Sequence, residues 1–419
     1  MQLTQQIKIE STEEQQKVLW DLSEKCRLIY NLALKERKDN WKTNRDKPKE
    51  QRNYITYIDQ QNQLPKIKEK YPEYKWVYSK VLQLTLKKLD ANFKSFFVLK
   101  KNGNKSANPP KFRGKKYFTT MCYNQSGFKV EDGFVELSHR HPSDIDLKFE
   151  IPEKFTFEKL YQVSIYQKDN DFFVSIVYEK TRKEYIDNGK YQAFDLGATK
   201  HTAVNSEGKF IEFTNKRLDK YWESKIQEVQ SKRDHCKKNS KKWKWYDKKL
   251  NKMKRKSANQ LKDFQHKLSR KIVDNTKANT IIVGKLSVKQ LTQINKYEKG
   301  LHRSIHNTGN IFRFVRFLTY KAELVGKRII EINERGTTKE CCVCGKKQDM
   351  PLHKRIYECD CGNGIDRDKN SAVNILKRFL SQNALWTGDL EKVFCEQSKV
   401  KQKFPKLGSE NSQEAPCES

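Results

Sequence analysis

Five of the ten cysteines in this 419-residue chain fall in one stretch, CCVCGKKQDMPLHKRIYECDC, residues 341–361. Cys341 and Cys344 form a C-x-x-C turn closed by Gly345, and Cys359 and Cys361 form a C-x-C turn closed by Gly362. Each short turn lets two sulfurs converge on one ion, so the pair predicts four thiolates around a tetrahedral zinc. A structural site with no open coordination position is expected, holding a small lobe that faces nucleic acid. The second turn is shorter than the usual ribbon spacing, which leaves Cys342 as an alternative ligand. His353 reads as a surface histidine. The other cysteines, Cys26, Cys122, Cys236, Cys395 and Cys417, are scattered and read as ordinary thiols. Clustering of this kind belongs to a reducing compartment.

Charge narrows the choice of partner. Lys and Arg number 86 against 52 Asp and Glu, a formal net charge of +34 spread over most of the chain. Such an excess calls for a polyanion, nucleic acid before membrane. No apolar run reaches the roughly 18 to 20 residues of a spanning helix. MQLTQQIKIESTEEQQ is polar where a secretory signal carries its apolar stretch. The expected location is inside the cell, cytoplasmic and nucleoid-associated if the host is prokaryotic.

The length allows two to three structural units. After a short strand, QQIKIE, the pair Ser11 and Glu14 predicts a capping box. The helix that follows carries Val18, Leu19, Leu22, Cys26, Ile29 and Leu32 at helical spacing. A second basic amphipathic block lies in KWVYSKVLQLTLKKLDANFKSFFVLKK, and NGNKSANPPKFRGKK reads as a loop. From Tyr117 to about Lys180, short alternating segments (FVEL, IDLKFEI, YQVSIYQ, DFFVSIVYEK) predict an antiparallel β unit with a hairpin at QKDNDFF. From Tyr191 the order becomes strand pair, basic helical stretch, strand (TIIVGKLSV), helix, strand (KRIIEINE), cysteine cluster, helix (NSAVNILKRFLSQ), an α/β order. The tail, residues 396–419, is polar and expected to be disordered.

Two of the strand-like segments of that region end at acids. YQAFDLGATK reaches Asp195, and GIDRDKNSAVNIL reaches Asp366 and Asp368 just before a helix whose Ala372, Val373, Ile375 and Leu376 face inward. Either of the latter two suits a helix N-cap. Carboxylates converging from separate segments on so basic a body also suit two Mg²⁺ ions for in-line phosphodiester hydrolysis. TIIVGKLSV, the strand best placed to add a third acid, offers Gly284 and Lys285 instead.

Together, FDLGATK, TTKECCVCG, YECDCG and DRDKNSAVNIL, in this order and with the cysteine turns just before the last, resemble the TnpB (OrfB) proteins of insertion sequences. These are RNA-guided DNA nucleases related to CRISPR type V effectors and Fanzor proteins. The resemblance implies an α/β RNase H-like (RuvC) domain with an inserted zinc ribbon, preceded by a β-barrel wedge domain carrying a helical recognition lobe. The implied division is a wedge at residues 1–10 and 117–186, a helical lobe at 11–116, a RuvC-like domain at 187–335 and 365–382, and a ribbon at 336–364. Asp195 matches the first RuvC aspartate and Asp368 the last, with Asp366 second in rank. Cys341, Cys344, Cys359 and Cys361 match the zinc ligands. Guide RNA, a double-stranded DNA target, catalytic Mg²⁺ and structural Zn²⁺ are the implied partners and cofactors.

The family's second motif is an apolar strand ending in Glu, and Gly284 fills that slot. Either the site has lost its third acid, leaving an RNA-guided repressor that binds without cutting, or the acid comes from elsewhere. Glu334, at the end of KRIIEINE, is the candidate, with Glu331 behind it. In an RNase H-like sheet the first, fourth and fifth strands lie side by side and parallel. Neighbouring strands are about 4.8 Å apart, and a Glu side chain can cover much of that if the fourth strand offers no bulk. ERGTTKEC also fits the E-x-x-T-[ST]-K-x-C pattern of relatives with a displaced glutamate. A transposase acting without a guide is the third reading, disfavoured by the ribbon and the D-x-N-S-A layout.

Phosphate contacts are expected along residues 216–271. KKNSKKWKWYDKK interleaves Lys241, Lys242 and Lys244 with Trp243 and Trp245, a mixture suited to backbone neutralisation and base stacking. The alternative is an amphipathic helix with its aromatics packed on the sheet. Lys285 would contact a scissile-strand phosphate or cover the sheet edge.

Overall fold

The computed structural model describes residues 1–169, 171–285, 310–351 and 353–385. The expected disordered tail lies outside the described residues. The chain divides into two compact units, Met1–Thr181 and a second beginning at Arg182.

The first unit opens with strand β1 (Gln2–Ile9) and helix α1 (Glu13–Arg45), followed by α2 (Tyr57–Asn62), α3 (Leu64–Lys70) and α4 (Ser79–Lys101). The capping box sits one residue later than the sequence predicts. Thr12 accepts from Gln15 N–H at 3.1 Å, and the Gln15 side chain accepts from Thr12 N–H at 3.1 Å. Gln15 wins over Glu14 because its amide also donates to the Asp146 carbonyl at 2.9 Å, a bond a carboxylate cannot make. Val18, Leu19, Leu22, Cys26 and Ile29 are buried as expected. Leu32 is exposed, and the stripe continues through Ala33 and Leu34, which follow the 3.6-residue period more closely.

Against these helices lie β2 (Met121–Asn124), β6 (Lys159–Lys168) and β7 (Asp171–Glu179), which with β1 form an antiparallel sheet ordered β1-β7-β6-β2. A separate ladder joins β3 (Phe128–Glu131), β4 (Phe134–Leu137) and β5 (Lys148–Glu150). Ile7, Leu19, Leu22, Leu82, Met121, Val163 and Phe149 belong to one continuous core.

The second unit is built on a five-stranded sheet of β8 (Tyr191–Leu196), β9 (Lys200–Asn205), β10 (Phe210–Thr214), β11 (Thr280–Lys285) and β12 (Arg328–Asn333), in the order β10-β9-β8-β11-β12. The first three strands run antiparallel, and β8, β11 and β12 run parallel and adjacent, as expected for an RNase H-like sheet. The basic stretch folds into a helical hairpin, α5 (Leu218–Asp234) and α6 (Lys241–Asn275), with Ser240 capping α6 through Trp243 N–H. Helix α7 (Ile311–Leu324) leads into β12, and β13 (Ile356–Glu358) pairs with β14 (Gly364–Asp366) just before α8 (Arg367–Gln382).

Strand residues alternate between two faces. One face packs Phe194, Ile281 and Val283 against Ile272 of α6 and Phe314 and Leu318 of α7. The other packs Ala193, Ile282 and Ile332 against Ala372, Val373 and Leu376 of α8. By the same alternation Asp195, Gly284 and Glu334 share the α8 face. No helix among the described residues is long and apolar enough to cross a membrane.

Thr12→Ala should lower the stability of the first unit by about 1 kcal/mol, whereas Ser11→Ala should change it by less than about 0.5 kcal/mol. The urea midpoint of that unit distinguishes the two, and equal effects would contradict Thr12 as the cap.

Candidate active site and metal centre

Asp195 lies on the central strand β8, near its C-terminal end. The β8–β11 ladder pairs Phe194 with Val283, so the next step along brings Asp195 beside Gly284. On the other side, Gly284 is opposite Ile332 of β12, and Glu334 follows two residues on, just past the end of the ladder. The Glu334 side chain folds back over Gly284. A β-carbon built on Gly284 would overlap the Glu334 carboxylate oxygen Oε2 and lie 3.1 Å from its Cβ. The bare glycine is therefore the space that the Glu334 carboxylate fills. Asp368 completes the group from the first turn of α8, its side chain only 17% exposed.

Burial raises the Asp195 carboxyl to about 8, and repulsion from Glu334 and Asp368 adds to the rise. The Arg367 guanidinium and a hydrogen bond from Ser371 oppose it. Glu334 is raised to about 7 by burial. Carboxyls whose ionisation burial opposes offer oxygen donors whose negative charge a hard divalent cation would compensate.

The neighbouring candidates separate by position. Asp366 is the N-cap of α8, accepting from Asp368 N–H at 2.9 Å and Lys369 N–H at 3.2 Å, and its other oxygen lies 3.3 Å from Lys200 Nζ. Glu331 and Lys285 are exposed and, by strand alternation, face away from the α8 side. The structure thus places Glu334 and Asp368 where each acts on Asp195, and leaves Glu331 and Lys285 facing away from them. Arg367, 3.4 Å from Asp368 Oδ1, and Ser371 were not singled out from the sequence. Ser371 stands three residues after Asp368 on the same helix face, a spacing that carries the signal.

In the ribbon, the four expected ligands Cys341, Cys344, Cys359 and Cys361 have sulfurs all within 4.8 Å of one another, the one such group among the described residues. The Cys341–Cys361 and Cys344–Cys359 sulfurs are 3.7 and 3.5 Å apart. Tetrahedral zinc with Zn–S near 2.3 Å sets neighbouring sulfurs about 3.8 Å apart, so the quartet suits it. Gly345 and Gly362 take the positive φ values, +74° and +87°, that tight turns of this kind require. Burial works against ionisation of Cys341, but donors from the Cys344 backbone and the Asn363 amide outweigh it and bring the thiol down to about 7. Cys342 points elsewhere, into the core beneath α8, where burial pushes its thiol up to about 12. His353 is exposed.

At the start of α6, Lys241, Lys242, Lys244 and Trp245 are exposed, and Trp243 is half-buried beside Arg233. Trp245 is 58% exposed and meets Tyr246 edge-on rather than packing into the core.

Comparison with known proteins places separate stretches of the chain beside known profiles. A family profile described as "Cas12f1-like, TNB domain" matches residues 312–375, an OrfB profile described as "Probable transposase" matches 175–295, and a "Helix-turn-helix domain" profile matches 1–46. In this chain the last range forms one strand and one long helix. A TnpB-like protein of Acanthamoeba polyphaga mimivirus is 38% identical over 141 residues, 33% of this chain and 26% of that protein. The match thus spans about a quarter of that relative's length. A "Putative RNA-guided DNA endonuclease" of Streptomyces pristinaespiralis is 25% identical over 367 residues, 86% of this chain and 85% of that protein. A solved Cas12f1–sgRNA–target DNA complex shares the fold, with a TM-score of 0.53 at 12% identity over 87% of this chain and 83% of that one. The second unit thus shares its fold with the solved Cas12f1 complex and carries a stretch similar to the Cas12f1-like domain profile. Along separate stretches the chain is similar to OrfB and TnpB-like proteins.

Two measurements check the site. Cys361→Ser should release the ribbon metal while Cys342→Ser retains it, read by metal content of the purified chain. The raised carboxyls make the folded chain bind more protons than the unfolded chain between pH 4 and 8. Their contribution to stability is therefore complete below about pH 4 and is lost as pH rises toward 8. Without added divalent metal, Asp195→Asn should thus gain in melting temperature over wild type as pH rises from 5 to 8. A gap that stays constant over that range would contradict the buried, mutually repelling acids.

Proposed function

We propose that this chain is the protein component of an RNA-guided DNA endonuclease of a transposable element, with Asp195, Glu334 and Asp368 as its acids. The observation that carries this reading is the Glu334 carboxylate folded into the space above Gly284, beside Asp195. A chain that had retired its site would have no reason to keep that space filled by an acid. The three carboxylates would hold two Mg²⁺ ions, with Asp195 the one on which both of the others act. Bound there, the ions supply an activated water and a counter-charge for the leaving oxygen of the cut strand. Arg367 balances part of the acids' charge, and Lys200 fixes Asp366 and with it the start of α8.

The remaining roles follow from the resemblance and from charge. Residues 1–10 and 117–186 would serve as wedge and 11–116 as recognition lobe, with guide RNA and a double-stranded DNA target as partners. The quartet Cys341, Cys344, Cys359 and Cys361 would hold a structural zinc. Exposed Lys241, Lys242 and Lys244 offer phosphate contacts and Trp245 a stacking face. Lys285, at the exposed end of β11, would add a phosphate contact from the opposite side of the sheet.

The test is cutting of a matched plasmid by the complex reconstituted with its guide RNA and Mg²⁺. Wild type should cut, and Asp195→Ala, Glu334→Ala and Asp368→Ala should each lower the rate by about 100-fold or more. Glu331→Ala should change it by less than about twofold. Gly284→Ala, which pushes the Glu334 carboxylate aside without replacing it, should slow cutting, and Gly284→Glu combined with Glu334→Ala should recover activity over Glu334→Ala alone. Target binding without cutting by wild type would instead establish a repressor, and normal cutting by Glu334→Ala would remove the displaced acid.

A further inference from the structure

Glu334 stands past the last paired residue of β12, so the ladder that fixes Asp195 does not fix it. What holds the turn after it is α8. Thr337 N–H and Thr337 Oγ1 both donate to the Glu334 carbonyl, at 3.1 and 2.9 Å. Thr337 Oγ1 also lies 2.9 Å from Ser371 Oγ, and Ser371 is among the groups that hold the Asp195 carboxyl down against the rise from burial. One turn along, Asn374 Nδ2 donates to the carbonyls of Thr337 and Glu340 at 2.8 and 2.7 Å. Asn370 Nδ2 donates to the same Glu340 carbonyl at 2.7 Å, and its Oδ1 accepts Cys342 N–H at 2.9 Å. Thr337, Asn370, Ser371 and Asn374 are all buried, none more than 2% exposed.

We propose that these four are positioning residues, a latch that clamps the turn after β12 onto α8 and keeps the Glu334 carboxylate over Gly284. The proposal rests on the nuclease reading above. The hydroxyl protons are consistent with it. The single Thr337 hydroxyl proton goes to Ser371 Oγ or to the Glu334 carbonyl, and that carbonyl keeps the Thr337 N–H in either case. Thr337 thus ties the turn after Glu334 to the helix that carries Asp368. The latch's asparagine arm runs to the backbone of Cys342, beside the ligand Cys341, so the ribbon's base and the displaced acid share one support. An acid supplied by the paired strand itself would be aimed by its ladder. One supplied from beyond the strand end needs its backbone held by something else, and groups that orient metal ligands typically contribute 10- to 100-fold in affinity or activity.

The test uses the full complex with guide RNA. Thr337→Val keeps the shape and removes the hydroxyl, Thr337→Ser restores it, and Asn374→Ala removes the second arm. Expected are wild-type target binding and ribbon zinc content for all three. Thr337→Val and Asn374→Ala should cut about 10- to 100-fold more slowly and, by electron paramagnetic resonance in the absence of DNA, bind Mn²⁺ correspondingly more weakly. Thr337→Ser should recover most of both losses, and Thr337→Val added to Glu334→Ala should cost nothing further. If Thr337→Val and Asn374→Ala bind Mn²⁺ and cut like wild type while Glu334→Ala does not cut, the latch is wrong and the nuclease reading stands. If Glu334→Ala cuts normally, both fall. Loss of target binding and zinc together with cutting in both latch variants would mark a general folding role and overturn the proposal.

Discussion

A carboxyl taken out of water resists ionisation, and like charges near it add to that resistance. Burial first, and then repulsion from Glu334 and Asp368, lift Asp195 to about 8. The surrounding construction is arranged around it: Arg367 supplies a nearby positive charge, Ser371 a hydrogen bond, and Lys200 ties down the neighbouring Asp366. A carboxylate with so few alternatives accepts a divalent ion readily, because the ion removes the repulsion as it binds.

Much of this was legible in the sequence. Apolar β-branched runs such as TIIV announced buried parallel strands, and the alternation of residues along them already separates Glu334 from Glu331. The cysteine turns pointed to four sulfurs, but the short second turn left Cys342 as an alternative, and only its burial in the core beneath α8 separates it from the quartet. The capping residues were harder. Ser11 and Thr12 offer the same hydroxyl, and the choice was made by Gln15 reaching Asp146, a contact more than a hundred residues away in sequence. Asp366 and Asp368 were likewise interchangeable as caps until the strand before α8 fixed which one meets the helix start. Spacing places Ser371 on the face of Asp368, but neither it nor the asparagines of α8 name the turn they bind. Polar residues on the inner face of a helix read as neutral until the turn they bind is in place.

The same limits apply to the basic hairpin of α5 and α6. Its sequence gave charge and aromatics in equal measure, and only the fold separates Trp222, buried and bonded to Gln260, from Trp245, turned outward among lysines. Exposure of one indole among several is a tertiary outcome that spacing alone does not determine.

The overlap between a β-carbon at position 284 and the Glu334 carboxylate also bears on inheritance. The two positions cannot vary independently: a side chain at one displaces the acid of the other. Relatives that carry an acid at the end of the fourth strand should be free to hold almost anything at the position of Glu334, and those with glycine there should not. Scored column by column, this chain has lost a residue. On the proposed reading, scored as a pair in space, it has exchanged one for another, and covariation between the two columns would record the exchange.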